Sequence, residues 1–247
     1  MTATITPPAG VPALQRVDPA DRLVDYERAL NFYLSLPDTV LDRVVFAENS
    51  DSDLTSLERI AEEHARGKEV ELVSFDGLDY PVEHGRGVGE TRLIDTALRR
   101  SRLLGALADD QPFWKVTGRL RFTNLDRLIV TAPVGAELYV DFRRFPRPWV
   151  DTRVFACTPR AFRELFVSRE PLMRQDELER AGYSAPEERL FEEFLPEREN
   201  GRVVPRLRVE PRIEGISGQG GDYARPSRRF WSATRGTIRR LCPPLWI

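Results

Sequence analysis

The chain has 247 residues, 41% of them hydrophobic and 31% charged, and a formal net charge of -2. That is enough apolar material for a full α/β core, and the near-neutral balance excludes a molecule built as a whole to hold a polyanion. Lysine stands only at Lys68 and Lys115, and the two cysteines, Cys157 and Cys242, have neither metal-ligand spacing nor a disulfide framework. A reducing, cytoplasmic setting is therefore the expectation. The opening Met1-Thr2-Ala3-Thr4-Ile5-Thr6-Pro7-Pro8 lacks the basic start and apolar run of a secretory leader, and no stretch is apolar for long enough to span a bilayer.

In chain order, residues 3–6 read as a first strand closed by Pro7-Pro8. Over residues 21–36, Leu23, Tyr26, Leu30, Tyr33 and Leu34 recur at three- and four-residue spacing, which predicts a helix ended by Pro37-Asp38. Residues 43–47 predict a buried strand. Asp51 or Asp53 is placed to cap a helix with Leu54, Leu57, Ile60 and Ala61 on one face, Gly67 stops it, and residues 70–75 predict a third strand. This β-α-β-α-β order predicts a mostly parallel, Rossmann-like sheet. A glycine-rich loop, a helix over 91–107 and a strand over 112–116 follow. Beyond them, 120–122, 137–142 and 153–157 read as strands, 159–167 and 187–195 as helices, and 216–221 as a flexible loop. The segment from 228 onward mixes arginine with Phe230, Trp231, Leu241 and Trp246.

In open parallel sheets, ligands sit beyond the carboxyl ends of the strands. Four polar clusters fall at such ends: Thr6-Pro7, Glu48-Asn49-Ser50, the loop Gly85-Arg86-Gly87-Val88-Gly89-Glu90 after His84, and Lys115-Val116-Thr117-Gly118-Arg119. Carboxylate and amide at Glu48 and Asn49 suit a base or a ribose, although Asn and Ser also make ordinary turns and caps. Glycines opening a helix let backbone N–H groups approach a diphosphate closely. Lys115 and Arg119, with Thr117 and Gly118 between them, put two cations in one turn, a means of neutralising a departing diphosphate. Asp151 and Glu188 are the candidate general bases for an acceptor hydroxyl, with the helix dipole as the plain alternative for Glu188.

The ordered set formed by Asp25-Tyr26 with Ala29-Leu30, then Val45-Phe46-Ala47-Glu48-Asn49-Ser50, Gly85-x-Gly87-x-Gly89-Glu90, Lys115-x-Thr117-Gly118-Arg119 and Asp151-Thr152 resembles bacterial glycosyltransferases of GT-A-like fold that build surface polysaccharides. The resemblance covers residues 4–166, with a weaker echo at Glu214-Gly215-Ile216-Ser217-Gly218. It implies one GT-A-like domain with a mixed, helix-flanked sheet. Residues 1–125 would be its nucleotide-binding half and 126–247 an irregular acceptor-side half ending in a basic, aromatic helix. It also implies a nucleotide-sugar donor and a saccharide or lipid-linked acceptor. The family's usual Asp-x-Asp metal motif is replaced here by Lys115-Val116-Thr117-Gly118-Arg119, with Asp109-Asp110 lying before the strand. Transfer without a cofactor is the expectation, with the role of a divalent metal left open.

Two other readings stand beside this one. Glu83-x-Gly85-x-Gly87-x-Gly89 matches the acidic-glycine signature of S-adenosylmethionine-dependent methyltransferases, but it follows three strands instead of the first. A non-catalytic nucleotide-binding or membrane-surface adaptor is suggested by Arg228, Arg229, Arg235, Arg239 and Arg240 among aromatic residues, a pattern that suits either an interfacial anchor or a docked helix with its arginines facing water. Nucleic acid is not an expected partner, because the arginines are dispersed among acids and no recognised motif is present.

Overall fold

The computed structural model describes residues 1–242, 245 and 246, and shows an α/β fold that divides into two compact units. The first unit comprises Met1–Leu107, Val116–Arg121 and Glu214–Asp222. Its sheet is parallel, in the order β1 (Thr2–Ala3), β2 (Arg43–Glu48), β3 (Glu69–Ser74). The connecting helices are α1 (Pro19–Ser35) and α2 (Thr55–His64), and α3 (Gly85–Arg100) and α4 (Arg102–Gly105) follow β3. Tyr26, Leu30 and Leu34 of α1 pack with Phe46, Ala3 and Leu57 in the unit's core, and the Tyr26 and Phe46 rings meet edge-on at 5.7 Å. Burial of these large apolar side chains is the main favourable contribution to this unit.

Several local expectations are corrected, each for an identifiable reason. The first strand is shorter than predicted because the backbone donors of residues 4–6 bond to side chains: Thr4 N–H to the Tyr26 hydroxyl, Ile5 N–H to Glu48 and Thr6 N–H to Ser50. Neither Asp51 nor Asp53 is the N-cap of α2. That position is Leu54, although Asp53 Oδ1 accepts from the Thr55 N–H and hydroxyl. The glycine-rich stretch is not a loop; Gly85 to Glu90 are the first turns of α3. A Cβ at Gly89 would overlap the Tyr80 hydroxyl, so a larger residue there would have to displace that ring. The predicted helix over 91–107 breaks at Ser101, whose hydroxyl caps Leu104 N–H and donates to Glu71.

The second unit comprises Ala108–Lys115, Phe122–Ile213 and Tyr223–Ile247, within the described residues. Strands β4 (Phe113–Val116) and β5 (Arg121–Phe122) lead to α5 (Leu125–Val130), β6 (Leu138–Arg143) and β7 (Trp149–Cys157). Helix α6 (Pro159–Phe162) runs into a π-helical turn, and α7 (Gln175–Arg180), α8 (Pro186–Glu199), β8 (Val203–Val204), β9 (Ile213–Glu214) and α9 (Pro226–Leu241) complete the chain. The sheet order is β4-β7-β6-β8, with β6 antiparallel to β7 and parallel to β8, while β5 pairs with β9. Phe155, Phe162 and Phe166 stack in its core at centroid distances of 5.3 and 5.0 Å. No helix among the described residues is long and apolar enough to cross a membrane.

Strand β7 begins earlier than predicted, so Asp151 lies inside it and directly opposite Asp141 on β6, next to a bulge between Val140 and Asp141. Two buried like charges in register are destabilising by themselves. Arg143 bridges them, at 3.3 Å from Asp141 and 2.9 Å from Asp151. Arg153 closes on Asp151, and Arg239 of α9 on Asp141 at 2.7 Å and on Glu210 at 2.6 Å. Helix α9 therefore docks through two inward arginines, Arg235 and Arg239, which corrects for those two the expectation of a docked helix with its arginines in water, while Arg228, Arg229 and Arg240 are exposed as expected.

Burial pushes the Asp141 and Asp151 carboxyls up, but the neighbouring guanidinium charges outweigh it and hold both below the ordinary aspartate value. Stability carried by these depressed carboxylates is fully present above the unfolded-state value of about 3.9 and is lost as pH falls below it through their folded-state values. Urea titrations of Asp151→Asn at pH 7 should show a loss of about 3 kcal/mol, because Arg153 keeps its charge and loses its carboxylate partner, while Arg143 is left with Asp141 alone. The variant should also lose part of the wild-type decline in stability below about pH 4.

Candidate functional site

The carboxyl edge of β1-β2-β3 gathers the first group of predicted residues. Glu48 ends β2 and is fully buried, and it is a hub that five donors satisfy. Oε1 accepts from Ile5 N–H at 3.0 Å, from Ser50 N–H at 2.9 Å and from the Ser50 hydroxyl, while Oε2 accepts from Ser52 N–H at 3.2 Å and the Ser74 hydroxyl at 3.3 Å. Its expected role as a direct reader of base or ribose is thereby corrected, since its acceptor capacity serves the strand ends. What Glu48 presents is its neighbours. Asn49 is buried, and its Oδ1 accepts from the Thr4 hydroxyl at 2.6 Å. The hydroxyls of Thr6, Ser50 and Ser52 form a chain with spacings of 2.9 and 3.0 Å, and Pro7 follows directly.

The Thr117-Gly118-Arg119 turn reaches the same edge. Thr117 bridges Thr2 in parallel, and Gly118 N–H donates to Thr2 O at 2.9 Å. A Cβ at Gly118 would stand 2.5 Å from that carbonyl oxygen, so only glycine allows the approach. Arg119 then extends toward the 216–221 turn, donating from Nε to Ile216 O at 3.2 Å. That turn is anchored, contrary to the flexible loop expected: Gly218 O accepts from Gln15 N–H at 2.8 Å and Arg16 N–H at 3.2 Å, and Ser217 N–H donates to Gly221 O at 2.8 Å.

Two guanidinium groups converge on Gly218, and a third, that of Arg22, lies near enough to Arg119 to feel its charge. A Cβ built there would lie 2.8 Å from Arg86 Nη1 and 2.9 Å from Arg119 Nη2, so both side chains rest against the bare glycine. Arg86 is exposed and Arg119 half-buried, and neither forms an ion pair among the described residues. Arg22 is buried behind them, its guanidinium donating to Thr4 O, Arg16 O and the Tyr26 hydroxyl. Burial pushes its pKa down and the like charge of Arg119 adds to that depression, against the opposing influence of Tyr26 and Asp25. Asp25 itself is paired with Arg16 at 3.0 Å. Clustered cations without carboxylate partners form an electrostatic well for an anion. His84, next to the start of α3, adds a buried Nδ1 with no hydrogen-bond partner among the described residues.

The other predicted residues lie apart from this cluster or serve the fold. Gly85 carries the left-handed φ of 78° that turns the chain into α3, Gly87 is half-buried in the same first turns, and Glu90 accepts from the Thr2 hydroxyl at 2.9 Å. Lys115 is buried in the second unit, its Nζ donating to Thr152 O at 2.7 Å and lying 5.7 Å from the Phe155 ring centre. A cation so engaged is a core group, which corrects its pairing with Arg119 in one turn. Asp151 is clamped by Arg143 and Arg153, and a carboxylate so stabilised as an anion is a poor proton acceptor. Glu188 accepts from Ser184 N–H and hydroxyl and from Arg147. Burial raises its pKa, but those bonds leave it below the ordinary glutamate value, so it too is disfavoured as a base.

Arg22 and Arg86 were missed by the sequence reading. Arg22 did leave a signal, since it stands four residues before Tyr26 on the apolar stripe of α1, where a lone charge has to find a purpose. Replacing Glu48 by Gln should cost about 2–3 kcal/mol in urea unfolding, because an amide can accept only part of this donor set and brings donors of its own. A variant as stable as the parent would disprove the hub. No family model matches the sequence, and no curated protein or solved structure matches it either.

Proposed function

We propose that the first unit binds a nucleotide-sugar and that the protein transfers its sugar to an acceptor hydroxyl, in the manner of GT-A-like glycosyltransferases. The observation that carries this reading is the convergence of Arg86 and Arg119 on Gly218 with Arg22 behind them. In this reading the donor diphosphate lies against the Arg86 and Arg119 guanidinium groups, with the buried Arg22 adding its charge from behind, and this positive field stabilises the negative charge that grows as the glycosidic bond breaks. The Asn49 amide and the hydroxyls of Thr6, Ser50 and Ser52 face the nucleoside, where one donor amide and rotatable hydroxyls suit a base edge and ribose. The charge role first given to Lys115 passes to Arg22 and Arg86, and Arg119 keeps its own. Asp151 and Glu188 are dropped as bases, so the reading rests on binding and leaving-group stabilisation. The methyltransferase alternative is disfavoured because Glu83 to Gly89 occupy a 3-10 turn and the start of α3 instead of a cofactor loop after the first strand.

A ligand that binds only the folded state raises the melting temperature by mass action. Thermal-shift measurements with UDP, GDP, CMP, dTDP, their sugar conjugates and S-adenosylmethionine, each with Mn²⁺ or EDTA, should show a shift with one nucleotide class. A shift with S-adenosylmethionine alone would overturn the reading. Arg119→Ala should keep its fold, abolish most of that shift and lower transfer by about 10²–10³-fold. Full transfer by the variant would reject the leaving-group role.

A further inference from the structure

Helix α9 carries its polarity the wrong way round for a helix that merely covers a core. Arg235 and Arg239, one turn apart, point inward: Arg235 Nε lies 2.8 Å from Glu210, and Arg239 is 5% exposed between Asp141 and Glu210. With those two positions fixed inside, helical phase turns Phe230, Thr234, Thr237 and Leu241 to the opposite side, while Trp231, one turn before Arg235, stands on the flank between the two faces. Phe230 is 67% exposed, Trp231 58% and Leu241 76%, and Leu245 just beyond the helix is 51% exposed. An ordinary surface helix buries such residues and solvates its arginines.

The charge on this face has one sign. Residues 223–247 contain arginines at 225, 228, 229, 235, 239 and 240 and no acid at all. Two of these are neutralised internally, while Arg225, Arg228 and Arg240 are exposed. We propose that this outer face of α9 docks on an anionic lipid surface, with Phe230 and Leu241 entering the headgroup boundary, Trp231 at its flank, and the exposed Arg225, Arg228 and Arg240 meeting lipid phosphates. Charge complementarity selects this occupant. A second copy pairing through the same face would set one basic cluster against another. A lipid surface supplies both a negative potential and an apolar boundary, and long arginine side chains can reach the former while lying along the latter. The docking stands on α9 alone and does not depend on the proposed sugar transfer.

The test is sedimentation of the full chain with phosphatidylcholine vesicles made with and without phosphatidylserine, at low and high salt. Binding is expected only to the anionic vesicles and is expected to weaken at high salt. The double variant Phe230→Ser/Trp231→Ser should lower partitioning about tenfold or more, and Arg240→Glu should lower it by a smaller factor. Both changes are at exposed positions, and unchanged thermal unfolding serves as the control for folding. Absence of binding to anionic vesicles, or full binding by the double variant, overturns the proposal. Light scattering that finds a dimer dissolved by the double variant also overturns it, in favour of self-association through this face.

Discussion

The first unit is organised by one buried carboxylate facing more donors than a neutral side chain could satisfy. Glu48 collects backbone and hydroxyl donors from residues 5, 50, 52 and 74, so the exits of β1, β2 and β3 are tied to a single point at the end of the central strand. Burying an ionised group is costly unless its lone pairs are filled, and here the unit fills them with groups that would themselves be unsatisfied at strand ends. The spacing of Thr6, Asn49, Ser50 and Ser52 is inherited from that arrangement. A strand edge held this way is a rigid platform, which is what the proposed nucleoside contact would require of these loops.

The second unit meets a related difficulty with charge pairs instead of hydroxyls. Asp141 and Asp151 face each other across β6 and β7, and the arrangement is tolerable only because Arg143 lies between them while Arg153 and Arg239 complete the neutralisation. Buried networks of this sort add little net stability over apolar packing, but removing one member leaves an uncompensated charge. Their value is in register and attachment: the network fixes which face of α9 looks inward, and thereby which face is turned to solvent.

The elements read well from the sequence where periodicity was strong. Tyr26, Leu30, Tyr33 and Leu34 placed α1, and the alternation of β2 and β3 with helices gave a parallel sheet. The chemistry of the edge was read less well. A glutamate after a strand looks the same in sequence whether it faces a ligand or its own backbone, and only three-dimensional donor geometry tells the two apart. Lys115 misled because scarcity drew attention to it, while its environment, a carbonyl and a phenylalanine ring, is set by residues 37 and 40 positions away. The Thr117-Gly118-Arg119 motif was noticed for its charge, whereas its glycine is explained by the approach to Thr2 O. Inward arginines on α9 were beyond any local pattern, since their partners at 141 and 210 lie far away in sequence.

The anchoring of Gly218 to Gln15 and Arg16 also has a consequence for how the protein is made. Arg22, Arg86 and Arg119 all leave the ribosome well before residue 218 does, at the usual pace of about 5–20 residues per second. During that interval the three cations belong to a growing chain that lacks the turn against which two of them rest. The arrangement of Arg86 and Arg119 against Gly218 is thus absent from any nascent chain shorter than that turn, and the anion site proposed there is complete only when most of the polypeptide exists. Ligand-assisted folding, if the cell uses it, is confined to the closing moments of synthesis or to the finished molecule.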